Sequence, residues 1–366
     1  MNVKKLLPII KVSFYTFVHS TKIEIFRHVN LLRKILFPFV PFYYLITRLR
    51  NAMYDLGIKK STAYDIPIVA VGNLSVGGTG KSPMVEYIIR LIRDKKSLAT
   101  LSRGYKRNTK GFQLATLSSV AEEIGDEPLQ FKRKFPEITV AVDANRCNGI
   151  DRLLSSGSSP EVILLDDAYQ HRKVKAGFYI LLTAYSNLYC DDIMLPTGDL
   201  REPRIGANRA DIIVVTKCPK NLTLATMDLL KDSLNIQKGQ ELFFSYISYR
   251  ETIIGTMGEQ SIKVLEDSFF TLVTGIANPQ PLVDYYTSLG LKFDHISFSD
   301  HHNFTAKELA HLETLDCIIT TEKDYMRLKG NILKSNMWYQ PIETRFIEGA
   351  DVFDRKLLEY IDTSLF

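Results

Sequence analysis

An α/β fold is predicted: a doubly wound, mostly parallel sheet followed by a second, smaller α/β unit. Three observations carry this reading. From Ile68 onward, short β-branched runs of the buried type alternate with stretches of helical spacing. The first run opens into a glycine-rich loop that ends in Gly80-Lys81-Ser82, and a helical pattern follows at once. Strand, glycine loop, Lys-Ser and helix form the context of a phosphate-binding P-loop, so the sheet is of the P-loop NTPase type. Around residue 240 the texture turns aromatic, and a fresh set of strands and helices begins.

Composition sets the outer bounds. The 366 residues are 45% hydrophobic and 24% charged, enough for a sizeable core without staples. Cys147, Cys190, Cys218 and Cys317 are scattered with no C-x-x-C pair. That argues against a zinc site or a disulfide framework and fits a reducing cytoplasm.

Charge is placed unevenly. Residues 1–60 hold eleven Lys/Arg and two acids, a balance of +9, so the net +5 of the chain leaves −4 for the rest. Within them Ile35-Leu-Phe-Pro-Phe-Val-Pro-Phe-Tyr-Tyr-Leu-Ile46 is an apolar run flanked by Arg33, Lys34, Arg48 and Arg50. It is too short to span a bilayer, and Pro38 and Pro41 are expected to break a helix there. Apolar and aromatic residues between cations fit a segment that lies on an anionic membrane surface. Residues 1–60 are therefore expected to be a membrane-associating segment, 61–240 the P-loop core, and 241–366 the smaller α/β domain with a C-terminal tail.

Ile68–Val71 reads as the first strand of the core. The loop Ser75-Val76-Gly77-Gly78-Thr79-Gly80-Lys81-Ser82 would wrap phosphate oxygens in backbone N–H groups at a helix N-terminus. Ser75 stands where the usual pattern has its first glycine. Lys81 would reach the β/γ-phosphates, and the Ser82 hydroxyl would bind Mg²⁺. Leu98–Leu101 is the next strand and ends in Ser102-Arg-Gly-Tyr-Lys-Arg107, where open α/β sheets bind ligands. Asp126 and Glu127 precede a helix, and their local reading is a capping role.

Thr139–Val142 is a further strand. Val162-Ile-Leu-Leu runs directly into Asp166-Asp167, acids at a strand end that in P-loop proteins hold the phosphate-bridging Mg²⁺. Tyr179–Thr183 and Asp211–Lys217 are buried-type strands. Between them lies the charged loop Leu195-Pro-Thr-Gly-Asp-Leu-Arg201-Glu-Pro203.

Beyond 240, Leu242–Tyr249, Phe270–Thr274, Leu291–Phe298 and Cys317–Thr321 read as strands. Thr305-Ala-Lys-Glu308 is a capping box. Asp300-His301-His302 suits proton handling or a metal.

Together these stretches resemble the tetraacyldisaccharide 4′-kinases of lipid A biosynthesis (the LpxK family). The resemblance rests on Val71–Pro83, Ser102-Arg-Gly-Tyr105, Gly125-Asp-Glu-Pro128, Asp166-Asp-Ala-Tyr-Gln-His171, Leu200-Arg-Glu-Pro203, Thr274-Gly-Ile-Ala-Asn-Pro279, Asp300-His-His302 and Thr321-Glu-Lys-Asp324, in family order over roughly residues 30 to 330. Ser75 is the family's form of the loop. Ala168 and Tyr169 depart from its commoner Gly-Phe. The resemblance implies ATP- and Mg²⁺-dependent phosphorylation of the 4′-hydroxyl of a lipid A disaccharide 1-phosphate precursor. It implies work at the cytoplasmic face of the bacterial inner membrane, without a nucleic-acid partner; the oligomeric state is left open.

Residue by residue, it implies Asp126 as base for the sugar hydroxyl with one histidine of Asp300-His301-His302 as partner, His301 favoured over His302, and Asp166 and Asp167 with Ser82 at the metal. Lys81 and Arg201 would stabilise phosphate charge. A P-loop NTPase that switches conformation to deliver a metal or protein is the alternative reading.

Overall fold

The computed structural model describes residues 31–157, 159–300, 302–332 and 336–364. Residues 1–30 of the expected membrane segment, and His301, lie outside them.

Seven parallel strands form the middle of a nine-stranded sheet. They are β1 (Ile68–Asn73), β2 (Leu98–Ser102), β4 (Thr139–Val142), β5 (Val162–Asp166), β6 (Phe178–Ala184), β7 (Ile212–Thr216) and β8 (Glu241–Tyr249). Antiparallel β3 (Gln113–Leu114) and β15 (Ile342–Phe346) close its two edges, giving the order β15-β8-β7-β6-β1-β5-β2-β4-β3. The near-continuous apolar runs read from the sequence are the strands covered on both faces, as parallel sheets require. Val69, Val71, Leu164, Ile180 and Val214 meet the helices of one face. Ile68, Ala70, Leu101 and Ile163 serve the other.

β1 lies between β5 and β6, so the chain winds outward on both sides of it. The loops after β1, β5 and β6 therefore emerge side by side at the C-terminal ends of neighbouring strands, with the loop after β7 next in line, at the usual ligand edge of such a sheet.

The chain leaves this sheet after β8 and returns to it. Between lies a six-stranded sheet in the order β10-β9-β14-β13-β11-β12. It comprises β9 (Thr252–Gly255), β10 (Gly258–Ser261), β11 (Phe269–Thr274), β12 (Lys292–Ser297), β13 (Ile318–Thr321) and β14 (Met337–Gln340). The expected boundary at 240 differs from this topology. Glu241–Tyr249 pairs with β7 because Phe243 and Phe244 complete the large core, not the small one. The helix Ala350–Thr363 likewise buries Phe353, Leu357 and Ile361 beside Val69 and Ile180. The second unit is thus an insertion, and the expected tail is part of the first.

Pro41 also behaves differently from expectation. A turn of 3₁₀ helix at Phe37–Phe39 leads into the helix Val40–Asp55, with Pro41 inside its first turn. A backbone N–H in that first turn would have no intrahelical partner, so proline, which has none, starts the helix instead of breaking it. Among the described residues no helix is long and apolar enough to cross a membrane.

Candidate active site

The phosphate loop is set by backbone conformation and by its neighbours. Gly80 has φ +78°, a left-handed position that a side chain would strain, and it begins the helix Lys81–Ile92. Asn73 Nδ2 donates to Thr79 Oγ1 at 2.9 Å. From β7, Thr216 Oγ1 donates to Thr79 O at 2.8 Å, and Lys217 Nζ to Gly78 O at 2.6 Å. Ser75, in place of the usual glycine, forms a β-bridge with Leu200, and Val76 N donates to Asp199 O at 2.7 Å. The charged loop 195–203 thus grips the first half of the phosphate loop, which accounts for a residue other than glycine there.

Two acids end β5, in different electrostatic settings. Asp166 is 2% exposed, and its Oδ1 has no hydrogen-bond partner. Burial first, then the charges of Glu127 and Asp167, push its carboxyl up to about 7. Burial also opposes ionisation of Asp167. Lys81 at 3.6 Å and Arg201, which donates at 2.9 and 3.3 Å, outweigh it and hold that carboxyl at about 2. Arg201 also donates to Asn73 Oδ1. Lys81, Asp167 and Arg201 therefore meet beside the phosphate loop.

Asp126 opens the helix Asp126–Lys134. Gly125 before it has φ +94°, and a Cβ there would stand 3.1 Å from Tyr105 O. Asp126 Oδ2 accepts from Arg327 Nη2 at 3.0 Å, across 201 residues of sequence. Of the two histidines expected as its partner, His302 is the described one, and it is engaged elsewhere. His302 Nε2 pairs at 3.0 Å with Glu308, itself half of the Thr305 capping box. Asp126, His302 and Arg327 nonetheless line one cleft of about 1110 Å³ between the two sheets, together with Tyr105 and Lys106.

Sequence reasoning gave Glu127 a place at a helix start and no part in the chemistry. Ser82 Oγ donates to Glu127 Oε1 at 2.6 Å, and Lys323 stands 3.6 Å from the same oxygen. The phosphate helix and the Asp126 helix are therefore one hydrogen bond apart. Glu127 lay inside the quoted Gly125–Pro128 stretch; only its contact was missing. Arg327 follows the Thr321–Asp324 stretch by three residues, and helical spacing alone gave no cue to its partner.

The acids and the hydroxyl suit a magnesium ion. Among the described residues no three acids, histidines or cysteines form a complete cage. Mg²⁺ does not ask for one: it takes one or two carboxylates and fills its octahedron with phosphate oxygens and water. The unpartnered, buried Asp166 Oδ1 is the kind of oxygen such a cation satisfies.

The helix Val40–Asp55 abuts this region. Tyr43 OH donates to Arg201 O at 3.0 Å, and Asn51 Nδ2 to Glu202 Oε2 at 2.8 Å. Its buried residues are the polar Thr47 and Asn51, while Phe42, Leu45, Ile46 and Leu49 are each more than 60% exposed.

Comparison with known proteins gives a consistent picture. A family model described as tetraacyldisaccharide-1-P 4′-kinase matches residues 32–362. A tetraacyldisaccharide 4′-kinase of Flavobacterium johnsoniae is 53% identical, over 92% of this chain and 99% of that one. The protein of the same name from Bacteroides thetaiotaomicron is 40% identical, over 92% and 95%. Among solved structures, LpxK from Aquifex aeolicus, an "apo" form in complex with ATP, superposes with a TM-score of 0.74 at 30% identity. That match covers 90% of this chain and 99% of the other.

Proposed function

The chain belongs to the tetraacyldisaccharide-1-P 4′-kinase family, and from that premise we propose how its residues divide the work. It is an ATP-dependent kinase of lipid A synthesis that phosphorylates the 4′-hydroxyl of a tetraacyldisaccharide 1-phosphate. The alternative of a conformational switch is not favoured.

The hydrogen bond from Ser82 to Glu127 carries the assignment of roles. It joins the helix that receives phosphate to the helix that begins with Asp126. A hydroxyl held by Asp126 is therefore next to the place where a γ-phosphate ends. The loop N–H groups of Ser75–Ser82 hold the phosphates, and Lys81 offsets their charge. Arg201 shares its guanidinium between Asp167 and the phosphate edge.

Asp126 accepts the hydroxyl proton as the sugar oxygen bonds to the γ-phosphorus and the bond to the β–γ bridging oxygen breaks, with ADP leaving. Ser82, Asp166 and Asp167 would hold Mg²⁺, which supplies charge neutralisation at the phosphates when bound. His301, beyond the described residues, is proposed to support Asp126 once substrate is in place.

The helix Val40–Asp55 is proposed as the membrane contact. A helix that turns Thr47 and Asn51 inward and Phe42, Leu45 and Ile46 outward inverts the usual burial. With Arg48 exposed on the same helix and Lys34 shortly before it in the chain, it suits the surface of an anionic bilayer, which is where a tetraacylated acceptor resides. A cytoplasmic site of work follows from the need for ATP.

The direct test incubates the protein with γ-labelled ATP and a tetraacyldisaccharide 1-phosphate in mixed micelles. Label on the lipid at the 4′-position is expected. ATP turnover with no lipid labelling would overturn the reading.

A further inference from the structure

The stretch Thr321-Glu322-Lys323-Asp324 and the helix it starts, Glu322–Leu328, have no part in the chemistry above. Each of its side chains nevertheless has a definite contact, and the contacts fall into two sets.

One set anchors the helix to the small sheet. Thr321, at the end of β13, caps the helix by accepting from Asp324 N. Asp324 is fully buried, and its Oδ2 accepts from Gly275 N at 2.8 Å and from Thr321 Oγ1 at 2.7 Å. Gly275 directly follows β11, so this helix moves with that sheet.

The other set reaches the Asp126 helix at both of its ends. Arg327 meets Asp126 at 3.0 Å, and Lys323 stands 3.6 Å from Glu127. At the far end, Lys134 Nζ lies 2.8 Å from Glu322 Oε2 and 2.8 Å from Glu86 Oε2. Glu86 belongs to the phosphate helix, where it also accepts from Gln130 and Arg90, each at 2.9 Å. Glu86 and Glu322 are 2% and 6% exposed. Three helices are thus joined through one ammonium group.

The two ends differ in what the reaction does to them. Ser82 and Asp126 are groups that the cation and the sugar hydroxyl claim, so the contacts of Ser82 with Glu127 and of Asp126 with Arg327 must loosen when substrates enter. Glu86, Lys134 and Glu322 touch no substrate in the proposed reaction and can persist through it. A buried ion pair is expensive to desolvate and a poor source of net stability, so its place in the fold calls for another reason, with register the best attested.

We propose that Lys134, clamped between Glu86 and Glu322, is a positioning residue. It holds the Asp126 helix in register with the phosphate helix, with Thr321–Arg327 as the fixed cradle. The proposal rests on the reading of Asp126 as the acceptor's base.

Misplacement by about 1 Å costs on the order of 10²-fold in rate, so Lys134→Met should lower kcat by roughly that factor. ATP affinity, measured by titration, should change by less than about twofold, because the phosphate cradle is untouched. The swap Lys134→Glu with Glu322→Lys keeps one ammonium between two carboxylates and should recover most of kcat. Simple loss of folded protein would lower every readout together, and only the swap and the kcat-against-affinity split tell the two apart. If Lys134→Met does not fold, Glu322→Gln, which keeps the shape, takes its place.

One further measurement does not depend on activity. Amide hydrogen exchange of residues 126–134 in the substrate-free protein should quicken in the variant, with the β1 amides unchanged. Wild-type kcat per folded molecule, equal losses of kcat and ATP affinity, or unchanged exchange at 126–134 would each overturn the proposal. Wild-type protein that transfers no label to lipid would instead sink the reading of the reaction, while the exchange result still judges the clamp.

Discussion

Gly80, Lys81 and Ser82 are consecutive residues on one turn, whereas Asp126 takes its partner Arg327 from 201 residues away. The phosphate half of the site is thus nearly self-sufficient. Strand β1, its loop and its helix form one supersecondary unit, and Thr216 and Asp199 only brace it. The acceptor half is assembled from both sheets: Asp126 from one, Arg327 and His302 from the other. The difference predicts that nucleotide binding and phosphoryl transfer should be separable by mutation in this chain. Variants of the first half should damage both; variants of the second should damage transfer alone.

The largest effect is expected at Lys81. Lys81→Ala removes the cation aimed at the phosphates and leaves Asp167 with Arg201 alone. Turnover should fall by about 10³-fold, and ATP affinity should fall with it. Steady-state kinetics together with nucleotide titration measure both. Unchanged affinity would break the comparison, because the loop would then not need its lysine to bind.

Asp126→Asn should come next. Loss of a positioned base costs about 10²–10⁴-fold. ATP binding should stay at its wild-type value, since Asp126 does not touch the loop. Equal losses in kcat and in ATP affinity would show that the two halves are one unit, and the distinction would fail.

The contrast also marks what could be read from the chain alone. The phosphate half was legible because its signal is contiguous: Ile68–Val71, the glycines and Lys81-Ser82 follow one another, and Val162–Asp167 repeats the strand-then-acid pattern. In the acceptor half, Asp126 was named only through the family resemblance, and its contact with Arg327 was not foreseen. Nothing local to Arg327 tells which carboxylate it will meet, and Glu127 looked like a helix-capping acid until Ser82 was placed against it. The same limit governs the fold. Each parallel strand declared itself by its apolar run, but the return of Ile342–Phe346 to β8 is an antiparallel pairing between segments that flank the whole second sheet. No periodicity encodes that. Pro41 was misread for a different reason: a proline disrupts a helix interior and suits a first turn, and only the observed start at Val40 decides which applies.

A smaller effect should sharpen the phosphate half itself. Asp166 has a free, buried oxygen, whereas Asp167 is already held by Lys81 and Arg201. Asp166→Asn should therefore raise the Mg²⁺ concentration for half-maximal activity, by about tenfold, and by more than Asp167→Asn does. Mg²⁺ titrations of the two variants at saturating ATP give the comparison. An Asp167→Asn variant with the larger shift would place the cation on the other acid.

The smallest effect belongs to the helix Val40–Asp55, which should matter to neither half directly. Its exposed Leu45 and Ile46 are free of the core, so replacing both by Ser should leave the fold intact. If that face enters the bilayer boundary, each substitution forfeits part of the 1.5–3 kcal/mol of a fully buried aliphatic side chain. About 1 kcal/mol apiece corresponds to roughly a fivefold loss in vesicle partitioning per residue. Cosedimentation with anionic vesicles reads this directly. Raising the salt concentration should weaken wild-type binding further without abolishing it, because screening removes only the share due to Arg48, Lys34 and their neighbours. The kinetic counterpart is specific. Activity toward an acceptor presented in vesicles should fall at low lipid concentration, while kcat toward a dispersed short-chain acceptor and the affinity for ATP stay at wild-type values. Tyr43 and Asn51 hold the helix against Arg201 and Glu202 from its other face, so the serines cannot act by loosening that contact. A Leu45→Ser, Ile46→Ser variant that sediments like wild type would leave the outward apolar face without a bilayer to explain it. One that sediments poorly yet also binds ATP poorly would mean that the membrane contact reaches the phosphate half through Arg201.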